Sequence, residues 1–108
     1  MPRLDFYVNY ELQASIRLDG EDVVLGRAPD CAVQMPDPRV SRHHAVISAA
    51  SNTYTIENFG ANGTRVNGDL IDGRRELEAG DSIFIAAYIL VYRLDEIAAD
   101  QLDATVMT

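Results

Sequence analysis

The side chains best suited to chemistry in this sequence are arginines next to glycine or serine, between apolar runs. Arg27 follows Gly26 at the end of one apolar run, and Arg42 follows Ser41 just before another. A guanidinium group is a planar fork that binds a phosphate or a carboxylate through two hydrogen bonds. Asn62, which precedes a glycine, adds an amide that can donate and accept at once. These residues predict anion binding, while most of the nine arginines need no functional explanation.

Strands are predicted to position these residues, because apolar and polar side chains alternate along most of the chain. Period-two alternation is typical of half-buried strands, and it covers residues 4–12 and 14–18. Asp19-Gly20 predicts a hairpin turn into a strand at 23–25. Further strands are predicted at 45–48, 54–57, 64–66, 70–71, 82–86 and 88–94. Frequent glycine turns without a helical period predict an all-β sandwich.

The composition disfavours several classes of function. The chain has 17 acidic and 9 basic residues and a formal net charge of -8, which repels nucleic acids and anionic membranes. No apolar run approaches the ~20 residues of a membrane helix, and the first residues do not resemble a signal peptide. The single cysteine, Cys31, indicates a reducing compartment. We therefore expect a soluble, cytoplasmic protein with no nucleic-acid or membrane partner.

The chain is predicted to contain one domain and a tail. Residues 1–94 form the domain, within which prolines make 30–39 a loop or edge strand. Residues 95–108 form an acidic tail, flexible or weakly helical, with four acids and no base. His43 and His44 are neighbours and point to opposite faces of an extended segment, so we predict no metal site and no cofactor. The sequence shows neither a nucleophile with a base nor three converging ligands, which predicts no enzyme activity.

Four motifs occur in order along the chain. They are Gly26-Arg27, Ser41-Arg42-His43-His44-Ala45, Asn62-Gly63-Thr64-Arg65-Val66-Asn67-Gly68 and Leu77-Glu78-Ala79-Gly80-Asp81-Ser82-Ile83. Together they resemble the forkhead-associated (FHA) domain, a β-sandwich of two twisted, mainly antiparallel sheets that binds phosphothreonine peptides. Any one motif is weak evidence, but four in register over residues 4–94 are strong. The resemblance implies a phosphothreonine-dependent interaction module, whose partners are a phosphothreonine protein and a Ser/Thr kinase pathway.

The resemblance also implies roles for individual residues. Arg27 and Ser41 match the positions that contact the phosphate, and Arg42 offers a second cationic donor beside them. Asn62 matches the residue that hydrogen-bonds the peptide main chain, and His44 matches a scaffold residue whose ring nitrogens tie the binding loops together. Structural roles follow for Gly26, Gly63, Thr64, Asn67 and Gly68, with Asn67 also within reach of the ligand.

The sequence departs from the family pattern at Gly60-Ala61. The family often has a Ser or Thr hydroxyl at this place, shortly before the Asn-Gly pair. The backbone N–H of Ala61 is expected to serve as a phosphate donor instead, although losing a neutral donor to phosphate costs about 1–2 kcal/mol. This departure leaves open the alternative of an FHA-fold scaffold that binds partners without phosphate.

Two further expectations concern the ligand. Arg39 lies in the loop that, in the family, faces the third residue after the phosphothreonine, which predicts a preference for Asp or Glu there. An ordinary solvated loop charge is an equal alternative for Arg39. In the tail, Thr105 follows acidic residues, and its phosphorylated form would be a ligand for the pocket of its own or a neighbouring chain. The alternative for Thr105 is an inert terminus.

Overall fold

The computed structural model describes residues 2–94 as eleven β-strands in two sheets. The strands are β1 (Arg3–Val8), β2 (Glu11–Arg17), β3 (Val23–Gly26), β4 (Val33–Gln34), β5 (Ala45–Ala49), β6 (Tyr54–Asn58), β7 (Arg65–Val66), β8 (Asp69–Leu70), β9 (Arg74–Glu76), β10 (Ser82–Ile85) and β11 (Tyr88–Arg93). Six form a sheet in the order β2-β1-β11-β10-β7-β8, and five form a sheet in the order β4-β3-β5-β6-β9. In this part of the chain β3 and β4 pair parallel and the other pairs are antiparallel. The predicted all-β, mainly antiparallel fold is therefore confirmed.

The core lies between the two sheets, and strands such as β5, β6, β10 and β11 contribute alternate residues to it. Leu4, Ile83 and Leu90 from the six-stranded sheet are fully buried, as are Ile47 and Ile56 from the five-stranded sheet. Burying each of these side chains contributes roughly 1.5–3 kcal/mol. Successive side chains of a strand point to opposite faces, which is why buried and exposed residues alternate along these strands.

The first predicted strand is two strands joined by a hairpin. The chain turns at Asn9 and Tyr10, whose φ angles are 52° and 66°, and β1 then pairs antiparallel with β2. Left-handed backbone is uncommon outside glycine and is most accessible to Asn and Asp. The alternation of residues 4–12 continues through this turn, so periodicity alone did not reveal it.

The hairpin predicted at Asp19-Gly20 is wrong. β2 belongs to the six-stranded sheet and β3 to the five-stranded sheet, so the chain crosses between sheets here. Gly20 does adopt a positive φ of 99°, but its N–H donates to the Tyr54 hydroxyl at 2.9 Å. A turn signal is local, whereas pairing depends on which sheet buries the apolar face of the next strand.

The remaining elements differ in how well the sequence predicted them. β4 is a two-residue edge strand inside the segment 30–39, as expected. β9 was missed, because Arg74-Arg75-Glu76 shows no apolar alternation; it pairs with β6 at the other sheet edge. The predicted tail with Thr105 lies outside the described residues. Among residues 2–94, no helix is long and apolar enough to cross a membrane.

Candidate functional site

Three loops meet at one end of the five-stranded sheet. Leu25 near the end of β3 pairs with Ala45 at the start of β5, and Ala45 also pairs with Asn58 at the end of β6. Because both pairings are antiparallel, the loop after β3, the loop before β5 and the loop after β6 lie side by side. These three loops carry the first three sequence motifs.

Backbone hydrogen bonds extend the β3–β5 pairing into the loops. The Arg27 N–H donates to the Ser41 carbonyl at 3.0 Å, and the Ala28 N–H donates to the Arg42 carbonyl at 3.1 Å. Gly26 permits this close approach, because a Cβ atom there would overlap the Arg42 carbonyl oxygen. The structure thus brings Arg27, Ser41 and Arg42 together from positions far apart in sequence.

The side chains of Arg27 and Arg42 are available to an external anion. Arg27 is exposed, and its Nε donates to the Val40 carbonyl at 2.9 Å. Within residues 2–94, the terminal nitrogens of Arg27 and the exposed guanidinium of Arg42 have no acidic partner. By contrast, acidic partners within residues 2–94 pair with Arg3, Arg39, Arg74, Arg75 and Arg93.

His44 joins two of the loops. It is 1% exposed, and its Nδ1 accepts a hydrogen bond from the Ser41 N–H at 3.0 Å. Its Nε2 lies 2.8 Å from the Gly63 carbonyl oxygen. This network assigns the neutral tautomer with the proton on Nε2, which donates to Gly63. Gly60 packs against the imidazole so closely that a Cβ atom there would overlap the ring.

Asn58 shapes the loop after β6, a role that the sequence analysis missed. Its Oδ1 accepts from the Gly60 N–H at 3.1 Å and from the Thr64 hydroxyl at 2.8 Å, while its Nδ2 donates to the Gly60 carbonyl at 3.2 Å. Thr64 is fully buried, and Gly63 has a φ of 82°. An Asn just before a glycine-rich loop is typical of turns held by side-chain-to-backbone bonds, and that signal could have identified it.

Ser41, Ala61 and Asn62 link the second and third loops. The Ala61 N–H donates to Ser41 Oγ at 3.2 Å, so a backbone donor and a hydroxyl donor lie next to each other. Asn62 Nδ2 donates to the Arg39 carbonyl at 2.8 Å, which leaves its exposed Oδ1 without a hydrogen-bond partner in the described part of the chain. Together with the two arginines, these groups form a set of donors that suits an anion.

Arg39 is held by Asp37, which the sequence analysis also missed. Asp37 accepts from the Arg39 N–H at 2.8 Å, from Nε at 3.0 Å and from Nη2 at 2.7 Å. These side-chain and backbone hydrogen bonds lower the pKa of Asp37 to about 2. Asp37 is therefore ionised at neutral pH and offsets part of the Arg39 charge.

Asn67 and Gly68 lie in a different network, away from these hydrogen bonds. Asn67 Nδ2 donates to Asp81 Oδ1 at 2.8 Å, and Asn67 Oδ1 accepts from the Ser82 N–H at 2.9 Å. The φ angles of 55° at Asn67 and 94° at Gly68 fit the tight turn between β7 and β8. Both polar atoms of the Asn67 amide take part in this network, which fits the structural role expected of Asn67, while its reach to a ligand stays a prediction.

The chain belongs to the FHA domain family. The family model matches residues 23–86, more than half of the chain, and the match contains all three loops of the site. No curated protein matches the chain.

Solved FHA structures share this fold. The FHA domain of the CT664 protein from Chlamydia trachomatis is 23% identical, with a TM-score of 0.80, over 87% of this chain and 97% of that chain. EmbR from Mycobacterium tuberculosis, solved with a low-affinity phosphopeptide, is 26% identical with a TM-score of 0.76, over 85% of this chain and 24% of EmbR. The MEK1 FHA domain, solved with a HOP1 phosphothreonine peptide, is 22% identical with a TM-score of 0.73, over 86% of this chain and 97% of that chain.

Proposed function

We propose that this chain is a phosphothreonine-dependent protein interaction module that couples Ser/Thr kinase signalling to complex assembly, and that it is not an enzyme. The observation that carries the proposal is the convergence of Arg27, Ser41 and Arg42 at the loop end, which is the end of the five-stranded sheet where the three loops meet. In the described part of the chain neither arginine has an acidic partner, so an incoming phosphate breaks no ion pair there. Phosphothreonine supplies nearly two negative charges and three acceptor oxygens, which match these donors.

Each phosphate contact has a specific donor in this arrangement. The terminal nitrogens of Arg27 bind phosphate oxygens, and the Ser41 hydroxyl donates to a phosphate oxygen while still accepting from the Ala61 N–H. Arg42 adds a second positive charge, and the Ala61 N–H, next to the Ser41 hydroxyl, can be shared between Ser41 Oγ and a phosphate oxygen in place of the missing hydroxyl. Hydrogen bonds to charged groups contribute about 1.5–3 kcal/mol each. Because His44 holds the loops in place before binding, little ordering opposes these gains.

The peptide main chain is bound by Asn62. Its Nδ2 is committed to the Arg39 carbonyl, so its Oδ1 accepts from a peptide N–H, and its second amide hydrogen can donate to a peptide carbonyl. The phosphopeptides bound by EmbR and by the MEK1 FHA domain support this class of ligand. We expect phosphothreonine to be preferred over phosphoserine, as the family resemblance implies.

The net charge of -8 affects the rate of binding more than the contact itself. The acidic surface slows the approach of an anionic peptide, whereas the local arginines determine affinity once contact is made. Binding should weaken as salt is raised, because the arginine–phosphate attraction is screened.

The test is a calorimetric titration of the full chain with an oriented phosphothreonine peptide library and its unphosphorylated counterpart. We expect phosphate-dependent binding that falls about 10- to 150-fold in Arg27→Ala, the equivalent of about 1.5–3 kcal/mol. Arg75→Ala is the matched control, because Arg75 lies on β9, outside the three site loops, and its guanidinium already pairs with Asp69. Equal affinity of wild type and Arg27→Ala, with both folded, would contradict the proposal.

The same titration addresses the phosphate-independent alternative. Gly60-Ala61 lacks the side-chain hydroxyl that the family often has there, which is the feature that favours a scaffold without phosphate recognition. Binding of both libraries with similar affinity, insensitive to Arg27→Ala, would establish that alternative.

The tail supplies a proposed ligand for the same site. Phosphorylated Thr105 would bind the pocket of its own or a neighbouring chain, with the acidic residues before it adding negative charge. Kinase treatment at Thr105 should then shift the NMR signals of Arg27 and Ser41, and Thr105→Ala should remove the shift. No shift and no change in oligomeric state after phosphorylation would leave Thr105 an ordinary tail residue.

A further inference from the structure

Three different metal-ligand side chains converge beside the site loops. They are Asp30 and Cys31, in the loop between β3 and β4, and His43, just before β5. One ligand atom from each of the three lies within 4.8 Å of the other two. His43 Nε2 is 3.2 Å from both carboxylate oxygens of Asp30. The sequence analysis excluded a metal because His43 and His44 cannot share one, and it did not consider ligands twelve residues away.

The backbone holds Cys31 in this position. The Cys31 N–H donates a hydrogen bond to the Ala28 carbonyl at 3.1 Å, and the Ala28 N–H donates one to the Arg42 carbonyl. Cys31 Sγ donates to that same Arg42 carbonyl oxygen at 3.2 Å. Cys31 is 8% exposed, so its thiol lies at the base of the cluster while Asp30 and His43 lie at the surface. The ligand geometry is thus set by the same hydrogen bonds that align the site loops.

We propose that Asp30, Cys31 and His43 form a binding site for a divalent transition-metal cation of the Zn²⁺ type. Sulfur, imidazole nitrogen and carboxylate oxygen are the three donor types that Zn²⁺ uses in proteins. The hard cations Ca²⁺ and Mg²⁺ take oxygen ligands instead. Three protein ligands leave the fourth tetrahedral position for water or an external ligand.

The arrangement needs only small movements to bind the ion. Bond lengths of about 2.0–2.3 Å place tetrahedral ligand atoms roughly 3.3–3.7 Å apart. The nitrogen–oxygen distance of 3.2 Å is close to this spacing, and the distances from the sulfur to the other two ligand atoms, which are at most 4.8 Å, need to shorten by about an ångström at most. His43 and Asp30 are 52% and 72% exposed, so their side chains can adjust without disturbing the core.

Charge and protons balance when the ion binds. In the metal-free protein the Cys31 Sγ–H donates to the Arg42 carbonyl oxygen, so the thiol holds its proton there. The ion displaces that proton to solvent and breaks the Sγ–H bond to the Arg42 carbonyl. A doubly charged cation held by one thiolate, one carboxylate and one neutral imidazole leaves the cluster without net charge.

An exposed ion pair between His43 and Asp30 would be a simpler role for two of the three residues. Such pairs contribute little to stability, and they require no sulfur. The test therefore monitors the sulfur directly, because metal–thiolate bonding distinguishes the proposed site from a surface ion pair.

The experiment is a titration of the full, reduced chain with Co²⁺, followed by Zn²⁺ in competition. We expect one Co²⁺ per chain, a thiolate-to-cobalt charge-transfer band in the near ultraviolet, visible bands of tetrahedral cobalt, and loss of both on adding Zn²⁺. Cys31→Ser should remove the charge-transfer band, and His43→Asn should weaken binding about tenfold or more. Asp22→Asn, which changes an exposed acid outside the cluster, should leave both unchanged.

The outcomes are decisive without any phosphopeptide. No thiolate band with a folded wild-type chain, or equal cobalt affinity in wild type and His43→Asn, would overturn the proposal. Because His43 is exposed, His43→Asn is expected to remain folded, and a thermal unfolding curve checks this. Metal binding is measured with no peptide present, so its result is independent of the proposed phosphothreonine function.

Discussion

Two arginine clusters in this molecule differ in whether the described part of the chain supplies an acid. On the outer face of the six-stranded sheet, Arg17, Arg3 and Arg93 lie in register across β2, β1 and β11. The buried Asp5 accepts from Arg3 Nε at 3.0 Å and Arg93 Nε at 3.2 Å. At the loop end, the described residues place no acid against Arg27 or Arg42. The same side chain therefore stabilises the sheet in one place and is available to a ligand in the other.

The lowered pKa of Asp5 shows that the arginines of the sheet cluster stabilise its negative charge. Burial tends to raise the pKa of Asp5, but hydrogen bonds from Arg3 and Ser15 and the charges of Arg3 and Arg93 outweigh burial, so the pKa lies below its usual value. Like charges opposite each other on neighbouring strands destabilise a sheet, and Asp5 offsets that repulsion. At the loop end, the corresponding negative charge is proposed to come from the phosphopeptide.

The largest expected effect that separates the two clusters is on stability. Asp5→Asn removes the charge that Arg3 and Arg93 share, and we expect the free energy of unfolding to fall by about 2–3 kcal/mol. Phosphopeptide affinity should stay within a factor of two. Asp69→Asn, which breaks the exposed pair with Arg75, should cost no more than about 0.5 kcal/mol. Urea unfolding measures all three proteins, and a loss of affinity in Asp5→Asn would show that the clusters are coupled.

At the loop end, we expect a substitution to lower phosphopeptide affinity and to leave stability nearly unchanged. Ser41→Ala removes a hydroxyl donor to the phosphate, so affinity should fall about 5- to 30-fold, the equivalent of about 1–2 kcal/mol. Stability should change little, because the lost partner of the Ala61 N–H is replaced by water at an exposed position. Calorimetry against one phosphothreonine peptide measures this, with Ser51→Ala in the β5–β6 turn as control. An affinity unchanged from wild type would exclude Ser41 from the phosphate contact.

Lowering the pH is expected to have a smaller effect on the free energy of unfolding. Because the folded pKa of Asp5 is below its unfolded value, its contribution to stability is complete above an unfolded pKa of about 4 and is lost as the pH falls through the folded pKa. The difference in unfolding free energy between wild type and Asp5→Asn should therefore shrink below about pH 4. Urea unfolding at a series of pH values measures it, and a difference independent of pH would contradict the lowered pKa.

The smallest effect concerns the third residue after the phosphothreonine. Asp37 offsets the charge of Arg39, so the preference for Asp or Glu at that peptide position should be only about threefold, the scale of an exposed ion pair. Asp37→Asn should sharpen the preference by freeing Arg39, and Arg39→Ala should abolish it. Competition between peptides with Glu and Gln at that position measures the ratio. The same ratio in all three proteins would mean that Arg39 is an ordinary solvated charge.

Several residues of the site could not be predicted from the sequence, because their sequence signals are weak or depend on residues far away along the chain. Arg27, Ser41, Asn62 and His44 stand out because a motif preserves their order and spacing. Asn58 and Asp37 carry only generic turn signals, although each makes three hydrogen bonds to the loops.

The fold shows the same division between local and long-range information. Alternation of apolar residues is local, and it correctly predicted strands such as β5 and β6. The crossing between β2 and β3 was mispredicted, because a strand joins whichever sheet buries its apolar face. No residue of that turn carries this information.

By itself, the sequence determined that the chain is an all-β domain and which loop residues are candidates for binding an anion. Side-chain chemistry and period-two burial are properties of each residue and its near neighbours, so they can be read along the chain. Only the tertiary structure decided which charges meet. Arg93 reaches Asp5 across 88 positions, while no acid in residues 2–94 reaches Arg27. Electrostatic attraction depends on distance in space, and the packing of the two sheets sets that distance.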